Sequence, residues 1–286
     1  MSAIEITTYP TGAAFLDATQ AWLLDSELER SLHYSLAQRH LDGKTLSGDQ
    51  VFFGVARQAG EILIAAVRTP PWKVNLTGPP GNVAAATALV PTMLQTCPDL
   101  RGAFGPEALV EAFATSWRAA TGDALEAGDA IALHRLDTLI PARGVTGDLR
   151  RPKPDETPLV LAWMDAFHAE ANPSAPRQEA RQLQIVSGEV GEVVWLWDDA
   201  GTPVSMCFTT RDTLHGRCIA GVYTPPPLRG RGYASGLVSA VTQHTLDSGK
   251  SMPYLHTDRK NPTSNKIYAA LGYRCIEHLS NITFVR

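Results

Sequence analysis

Two stretches near the C-terminal end of this 286-residue chain carry residue types that can do chemistry. The first is Arg229-Gly230-Arg231-Gly232-Tyr233-Ala234, followed by Ser235. Glycines at 230 and 232 permit positive φ and let the backbone approach an anion closely, while Arg229 and Arg231 add positive charge. A helix starting here would point its unpartnered first-turn amides at the same anion. One such dipole end contributes about 0.3 to 1 kcal/mol, so several amides and an arginine must act together, which suits a diphosphate. The second stretch runs from Asn261 to Tyr273, where helical spacing places Asn261, Asn265 and Tyr268 on one polar face opposite Ile267, Ala270 and Leu271. That arrangement would present a phenol hydroxyl beside two amides.

The flanking elements must hold these groups in place. Arg217 to Tyr223 reads as a short buried strand, ended by Thr224-Pro225-Pro226-Pro227 because proline cannot donate to a ladder. Behind the glycines, Ala234, Leu237, Val238, Val241 and Thr245 repeat at helical spacing and Ser248-Gly249 closes the helix. A strand over Met252 to Thr257 follows. Then Asn261 as N-cap, Pro262 at the first helical position and left-handed Gly272 bound a helix of about ten residues. On the residues alone other readings stand beside phosphate binding. A Gly-x-Gly turn also occurs where it only turns the chain, Tyr268 could be an amphipathic core tyrosine, and the asparagines could be caps. A dinucleotide-binding Rossmann unit has the same local layout, ending in Asp258, but Ser235 stands where its third glycine belongs and only 28 residues follow Asp258.

The two motifs occurring together and in order resemble the GNAT superfamily of N-acetyltransferases. That family's cofactor loop is Gln or Arg, two residues, Gly, one residue, Gly or Ala. Its later helix commonly carries Asn, Asn and Tyr before Leu-Gly-Tyr or Leu-Gly-Phe, matched by Asn261, Asn265, Tyr268 and Leu271-Gly272-Tyr273. The resemblance implies acetyl-CoA as co-substrate, its thioester lying between two splayed parallel strands, here Arg217 to Tyr223 and Met252 to Thr257. It implies pantetheine contacts from the backbone of Val222, Tyr223 and Thr224, with an N–H there polarising the thioester carbonyl. Diphosphate contacts would come from Arg229, Gly230, Arg231, Gly232, Tyr233, Ala234 and Ser235, with Asn261 and Asn265 beside the cofactor. Direct attack by a primary amine would follow, with Tyr268 as general acid toward the departing thiolate. No general base is legible: Val204 to Thr210 lacks the carboxylate common in the family, and Asp212, His215, His256 and Asp258 are only near in sequence. A non-catalytic acyl-CoA-binding or regulatory module is the alternative function, ahead of a Rossmann-type oxidoreductase. The acceptor would be shaped by the loops from Phe167 to Pro176 and by the first half of the chain.

The rest of the chain suggests that one unit is written twice. Strands over 51–57 and 62–67 flank a turn at Gly60, and strands over 193–197 and 204–210 flank a turn at Gly201, 141 positions later. An amphipathic segment precedes each hairpin, Gly12 to Leu24 and Glu156 to Glu170. After its hairpin the first half offers only Gly78-Pro79-Pro80-Gly81 with no arginine close by. The expectation is an α/β (α+β) protein of two tandem GNAT-like domains, each a mixed, mostly antiparallel sheet flanked by helices. A degenerate N-terminal copy would occupy 1–143, a linker rich in Gly, Pro and charge 144–158, and the C-terminal acetyltransferase domain 159–286. By resemblance the whole chain looks like bacterial tandem proteins with a decayed first copy.

Bulk properties narrow the partners. The formal net charge is −4, from 25 basic and 29 acidic residues, and no basic run is long enough to track phosphates, so nucleic acid is not expected. Hydrophobic residues at 44% supply a sizeable core. Cys97, Cys207, Cys218 and Cys275 lack the paired spacing of a zinc or redox site and read as reduced core residues, although a Cys207–Cys218 cross-strand disulfide is conceivable. There is no leader-like N-terminus and no eighteen-residue apolar run, so no membrane partner and a cytoplasmic location are expected. The sequence specifies no oligomeric state.

Overall fold

The structure, a computed structural model, describes residues 2–44, 51–171, 179–189 and 191–286. In chain order the first half runs β1 (Ile4–Tyr9), α1 (Gly12–Asp25), α2 (Ser31–Leu41), β2 (Phe52–Gln58), β3 (Glu61–Arg68), β4 (Val74–Thr77), α3 (Val83–Ala88), α4 (Val90–Thr96), β5 (Gly102–Pro106), α5 (Glu107–Thr121), β6 (Ala124–Ala127) and β7 (Ile131–Leu136). The second half runs β8 (Asp148–Arg150), α6 (Thr157–Ala171), α7 (Glu179–Ser187), β9 (Val193–Asp199), β10 (Thr202–Thr210), β11 (Gly216–Tyr223), α8 (Tyr233–Asp247), β12 (Met252–Asp258), α9 (Pro262–Ala270) and β13 (Tyr273–Val285). The chain divides into two compact units. Unit 1 holds Met1–Leu133, Asp258–Lys260 and Cys275–Arg286, and unit 2 holds His134–Thr257 and Asn261–Arg274.

This partition differs from the expected boundaries at 143 and 158. Residues 144–158 do not link two bodies; they build unit 2. Val145 packs into its core, the Thr146 carbonyl accepts from Trp197 Nε1 at 2.9 Å, and β8 pairs with β9. Arg150 donates to both Glu156 oxygens at 2.7 Å and to Asp198 at 2.7 Å, which uses the charge that had suggested an exposed connector. The terminal segment returns to unit 1, where β13 pairs antiparallel with β5 from Leu279↔Pro106 to Thr283↔Gly102 and with β6.

Within unit 1 the sheet order is β1-β2-β3-β4-β5-β13, antiparallel except for the parallel pair β4/β5. Both faces are covered, as the period of two requires. Phe53, Val55, Ala65 and Val67 pack on one side with Phe15, Leu16, Leu23 and Ala37 from α1 and α2. Phe52, Ala56, Ile64 and Ala66 pack on the other with Ala85, Val110, Phe113 and Trp117 from α3 and α5. In unit 2 the order β12-β11-β10-β9-β8 is again antiparallel except for β11/β12. Trp197, Cys207, Ile219 and Leu255 face Leu237, Val238 and Val241 of α8, while Leu196 and Met206 face Val160 and Met164 of α6. Each unit is therefore a mixed, mostly antiparallel sheet between helical layers. The two hairpins turn alike: Ala59-Gly60 has φ 51 and 87, Ala200-Gly201 φ 52 and 85, the two consecutive left-handed residues of a two-residue hairpin turn.

Cys97, Cys207 and Cys218 are buried free thiols, but Cys275 is exposed rather than in a core. Cys218 lies opposite Thr210, three positions from Cys207, so the register separates the two thiols. Among the described residues no helix is long and apolar enough to cross a membrane, and no His/Cys/Asp/Glu cluster could hold a metal ion.

Candidate acyl-transfer site

The centre of unit 2 is a break in its sheet. β11 and β12 pair in parallel from Gly216↔Met252 only as far as Ile219↔Leu255, although β11 runs on to Tyr223 and β12 to Asp258. The cause lies on the other side of β11. Its pairing with β10 passes from Met206↔Tyr223 to Phe208↔Ala220, so Gly221 and Val222 together oppose Cys207. Gly221 takes φ 62, and a Cβ there would lie 2.1 Å from the Phe208 ring. This is a glycine bulge, which bends a strand and ends its regular pairing. The splay thus has a sequence origin in Gly221, set between Ala220 and Val222 inside the strand, a signal legible in the sequence.

Past the splay, Thr224 leads through a single 3-10 turn, Pro226–Leu228, into the glycine loop. Gly230 and Gly232 are both left-handed, at φ 80 and 83, and Gly232 is the N-cap of α8 with no side-chain cap bond. The first-turn amides, at Tyr233, Ala234 and Ser235, have no intrahelical acceptor. A Cβ on Gly232 would sit 2.9 Å from Val145, whereas Gly230 has open space around it. The loop and helix start therefore form the cradle that a phosphate group fits, with the backbone rather than side chains as its lining.

Several side chains predicted for this cradle are employed elsewhere. Arg229 is tied down: its Nη2 donates to both oxygens of Glu170 in α6 at 2.8 Å, its Nε donates to the Thr224 carbonyl at 2.8 Å, and it lies 5.7 Å from the Tyr223 ring centroid. The Tyr233 side chain turns inward, 7% exposed, and donates to Asp199 at 2.6 Å, leaving only its amide for the loop. Arg231 stays exposed, and its charge reaches Asp199. The Tyr223 carbonyl accepts from the buried Ser205 hydroxyl at 2.9 Å, and Thr224 Oγ1 meets the same hydroxyl at 2.8 Å. Val222 is half-buried beside the bulge.

On α9 the predicted faces do not hold. Tyr268 and Leu271 form the buried face, at 7% and 3% exposure, while Ala270 is exposed. Asn261 is exposed and caps the helix, its Oδ1 accepting from the Ser264 amide at 3.1 Å, so its carbonyl oxygen is spent on structure. Asn265 is half-buried one turn later. Tyr268 shares a core cluster with Cys207, Ile219 and Leu255, which places its ring against the strands that separate. Burial pushes its phenol well above the ordinary range, with the nearby thiols Cys207 and Cys218 adding to the shift against the Ser264 hydroxyl. At neutral pH this group holds its proton firmly.

Of the four residues near in sequence, Asp212 and His256 are engaged or poorly basic. Asp212 is held by Arg217 at 2.5 and 2.8 Å and approached by Lys250 at 3.9 Å. Asp258 accepts from the Lys260 amide at 2.8 Å. His256 is held down to about 3, chiefly by burial and then by the charges of Arg211 and His134, so it is neutral with Nδ1 3.3 Å from Arg211 Nη1. His215 uses its carbonyl to accept from the Met252 amide at 3.0 Å. Of the acceptor loop Phe167 to Pro176, positions 172–176 lie outside the described residues.

Comparison with known proteins fits this geometry. The family model described as FR47-like protein matches residues 204–282, which contain the bulge, the loop and α9. No curated protein matches. Among solved structures, the chain is similar to a GCN5-related N-acetyltransferase from Sphaerobacter thermophilus at 18% identity and TM-score 0.61, covering 98% of this chain and 95% of that one. An acetyltransferase from the GNAT family of Colwellia psychrerythraea shows 14% identity and TM-score 0.56, with 98% and 99% covered. A tandem GNAT protein from the clavulanic acid biosynthesis pathway shows 14% identity and TM-score 0.57, with 98% of each chain covered. At these identities the likeness establishes architecture, and the architecture here, the same mixed strand order in each unit, is the GNAT fold in tandem.

Proposed function

We propose that unit 2 transfers an acetyl group from acetyl-CoA to a primary amine of a small molecule or protein, by direct attack. The observation that carries this reading is the coincidence, within one strand-loop-helix unit, of the β11/β12 splay with an uncapped helix start behind two left-handed glycines. A narrow slot between strands fits a pantetheine arm, and the cradle beyond it fits a diphosphate. The mixed sheet also removes the dinucleotide-binding alternative, which needs a doubly wound parallel sheet.

In this reading the amides of Tyr233, Ala234 and Ser235 hold the diphosphate, with Arg231 adding charge. Arg229 acts first as a brace between α6 and the loop, and joins the anion only by leaving Glu170. Backbone groups of Val222, Tyr223 and Thr224 beside the bulge hold the pantetheine amides and polarise the thioester carbonyl. The amine nitrogen attacks the carbonyl carbon, a C–N bond forms and the C–S bond breaks. Tyr268, kept protonated by burial, gives its proton to the leaving sulfur, and the attacking amine's proton passes to water. With Asp212 ion-paired and His256 neutral and poorly basic, the acceptor must arrive as the free amine or lose its proton through solvent. Asn265 remains a candidate contact on the cofactor side of α9, while Asn261 keeps only its amide nitrogen for such a role.

The test is thiol release from acetyl-CoA against a panel of small amines, polyamines, aminoglycosides and peptides. The reading predicts amine-dependent release that Tyr268→Phe slows by about 100-fold while acetyl-CoA still binds. Binding without release by any amine would favour an acyl-CoA-binding regulatory module.

A further inference from the structure

Unit 1 has its own cleft, built where β4 and β5 separate. The two strands pair only at Val74↔Ala103 and Asn75↔Phe104. A cavity of about 670 Å³ opens past their ends, between the Gly78-Pro79-Pro80 loop, the start of α5, residues 275–278 of β13 and the turn joining α1 to α2. That volume is in the range of small-molecule sites, roughly 300 to 1,000 Å³. It is not a second diphosphate site: α3 is six residues long and no arginine follows the glycine loop.

Glu277 lines this cavity, and its Oε2 is buried with no hydrogen-bond partner. A buried carboxylate oxygen left unmatched costs free energy that a ligand can recover. The charges around it are specified by the fold. Glu29 adds a second carboxylate on the same cavity. Arg30 is also there, but its guanidinium donates to the Trp22 carbonyl, lies 3.6 Å from the Trp22 ring centroid and is 3.9 Å from Asp25. Glu107 is paired with Arg259 at 2.6 Å. On β13 itself, the Cys275 thiol points to the Glu277 carbonyl and His278 is exposed. The balance is negative, and Pro79, Pro106 and Ile276 supply apolar wall.

We propose that this cleft binds a small organic cation, an ammonium group with an apolar body, through Glu277. Burial, reinforced by Glu29 and opposed by Arg30, raises the Glu277 carboxyl to about 7, so the free protein carries it partly protonated. Binding a cation draws out that proton. Affinity therefore rises with pH until Glu277 is ionised in the free protein, by about 10-fold from about pH 6 to about pH 8.

The experiment is calorimetric titration of the full chain with benzylammonium, benzyl alcohol and benzoate, for the natural sequence and for Glu277→Gln. Benzylammonium stays protonated across that pH range. The expected result is benzylammonium binding that strengthens with pH and weakens by about 10-fold or more in Glu277→Gln, where the pH dependence disappears. Benzyl alcohol should bind equally to both proteins, which also shows that the variant's cleft is intact. Benzylammonium affinity unchanged in Glu277→Gln, no binding at millimolar concentration, or preference for benzoate would each overturn the proposal. Because Glu277 belongs to unit 1 and every residue assigned to acetyl transfer belongs to unit 2, acetyl-CoA binding by the same variant separates this failure from failure of the transfer reading.

Discussion

The two units place a parallel strand pair at the same point of the same sheet order, yet only one of them follows it with the glycine loop and bare helix start proposed here to hold coenzyme A. In unit 1, β4 is four residues long and pairs with β3 in plain register, from Ala65↔Thr77 to Val67↔Asn75. In unit 2, β11 is eight residues long, bulged at Gly221, and followed by a fifteen-residue helix whose start is bare backbone. Unit 1 keeps the opening between its strands but puts a carboxylate there. The difference teaches that the glycine loop with its bare helix start and the cleft beside a parallel strand pair are separable parts of this fold.

The comparison breaks most readily at Gly221. Gly221→Ala must place a methyl 2.1 Å from the Phe208 ring at a φ that disfavours it. The expected cost is about 2 to 6 kcal/mol, read as a fall in Tm of about 10 °C or more together with lost acetyl-CoA binding. Gly81→Ala, in the unit 1 loop and surrounded by open space, should stay within about 0.5 kcal/mol of the natural protein. Next in size, Tyr268→Phe should lower kcat by about 100-fold with the acetyl-CoA Kd within about 2-fold, checked by steady-state kinetics beside calorimetry. An unchanged kcat would remove Tyr268 from the chemistry.

Smaller effects sharpen the picture of the loop. Gly232→Ala crowds Val145 at an unfavourable φ, and a strain of about 1.4 kcal/mol would weaken acetyl-CoA by about 10-fold. Glu170→Gln should release Arg229 to the anion. Both side chains are about half exposed, so the gain is small, about 2- to 5-fold tighter acetyl-CoA binding, and the loss of stability is below about 1 kcal/mol. Weaker binding in Glu170→Gln would mean that bracing the loop matters more than the freed charge.

What could be read from the sequence was what neighbouring residues settle among themselves. The cradle, α8 and both hairpins follow from glycine positions and apolar spacing within about fifteen residues. Features settled by distant partners were not legible. Arg229 meets Glu170 from 59 positions away, and Trp197 recruits Thr146 from 51, which turned a supposed linker into part of unit 2. β13 continues into unit 1 because its partners are β5 and β6, far earlier in the chain. The faces of α9 were misjudged because Tyr268 was counted as polar, while the structure buries it with Leu271, three residues on. The Glu277 carboxylate could not be anticipated, since nothing in its own strand segment marks the cavity it lines.

The central claim is that acetyl-CoA has one home in this chain, at the start of α8. Calorimetric titration of the full chain with acetyl-CoA tests it most directly. The account predicts a single site per chain that Gly232→Ala weakens; two equivalent sites, or binding indifferent to Gly232, would contradict it.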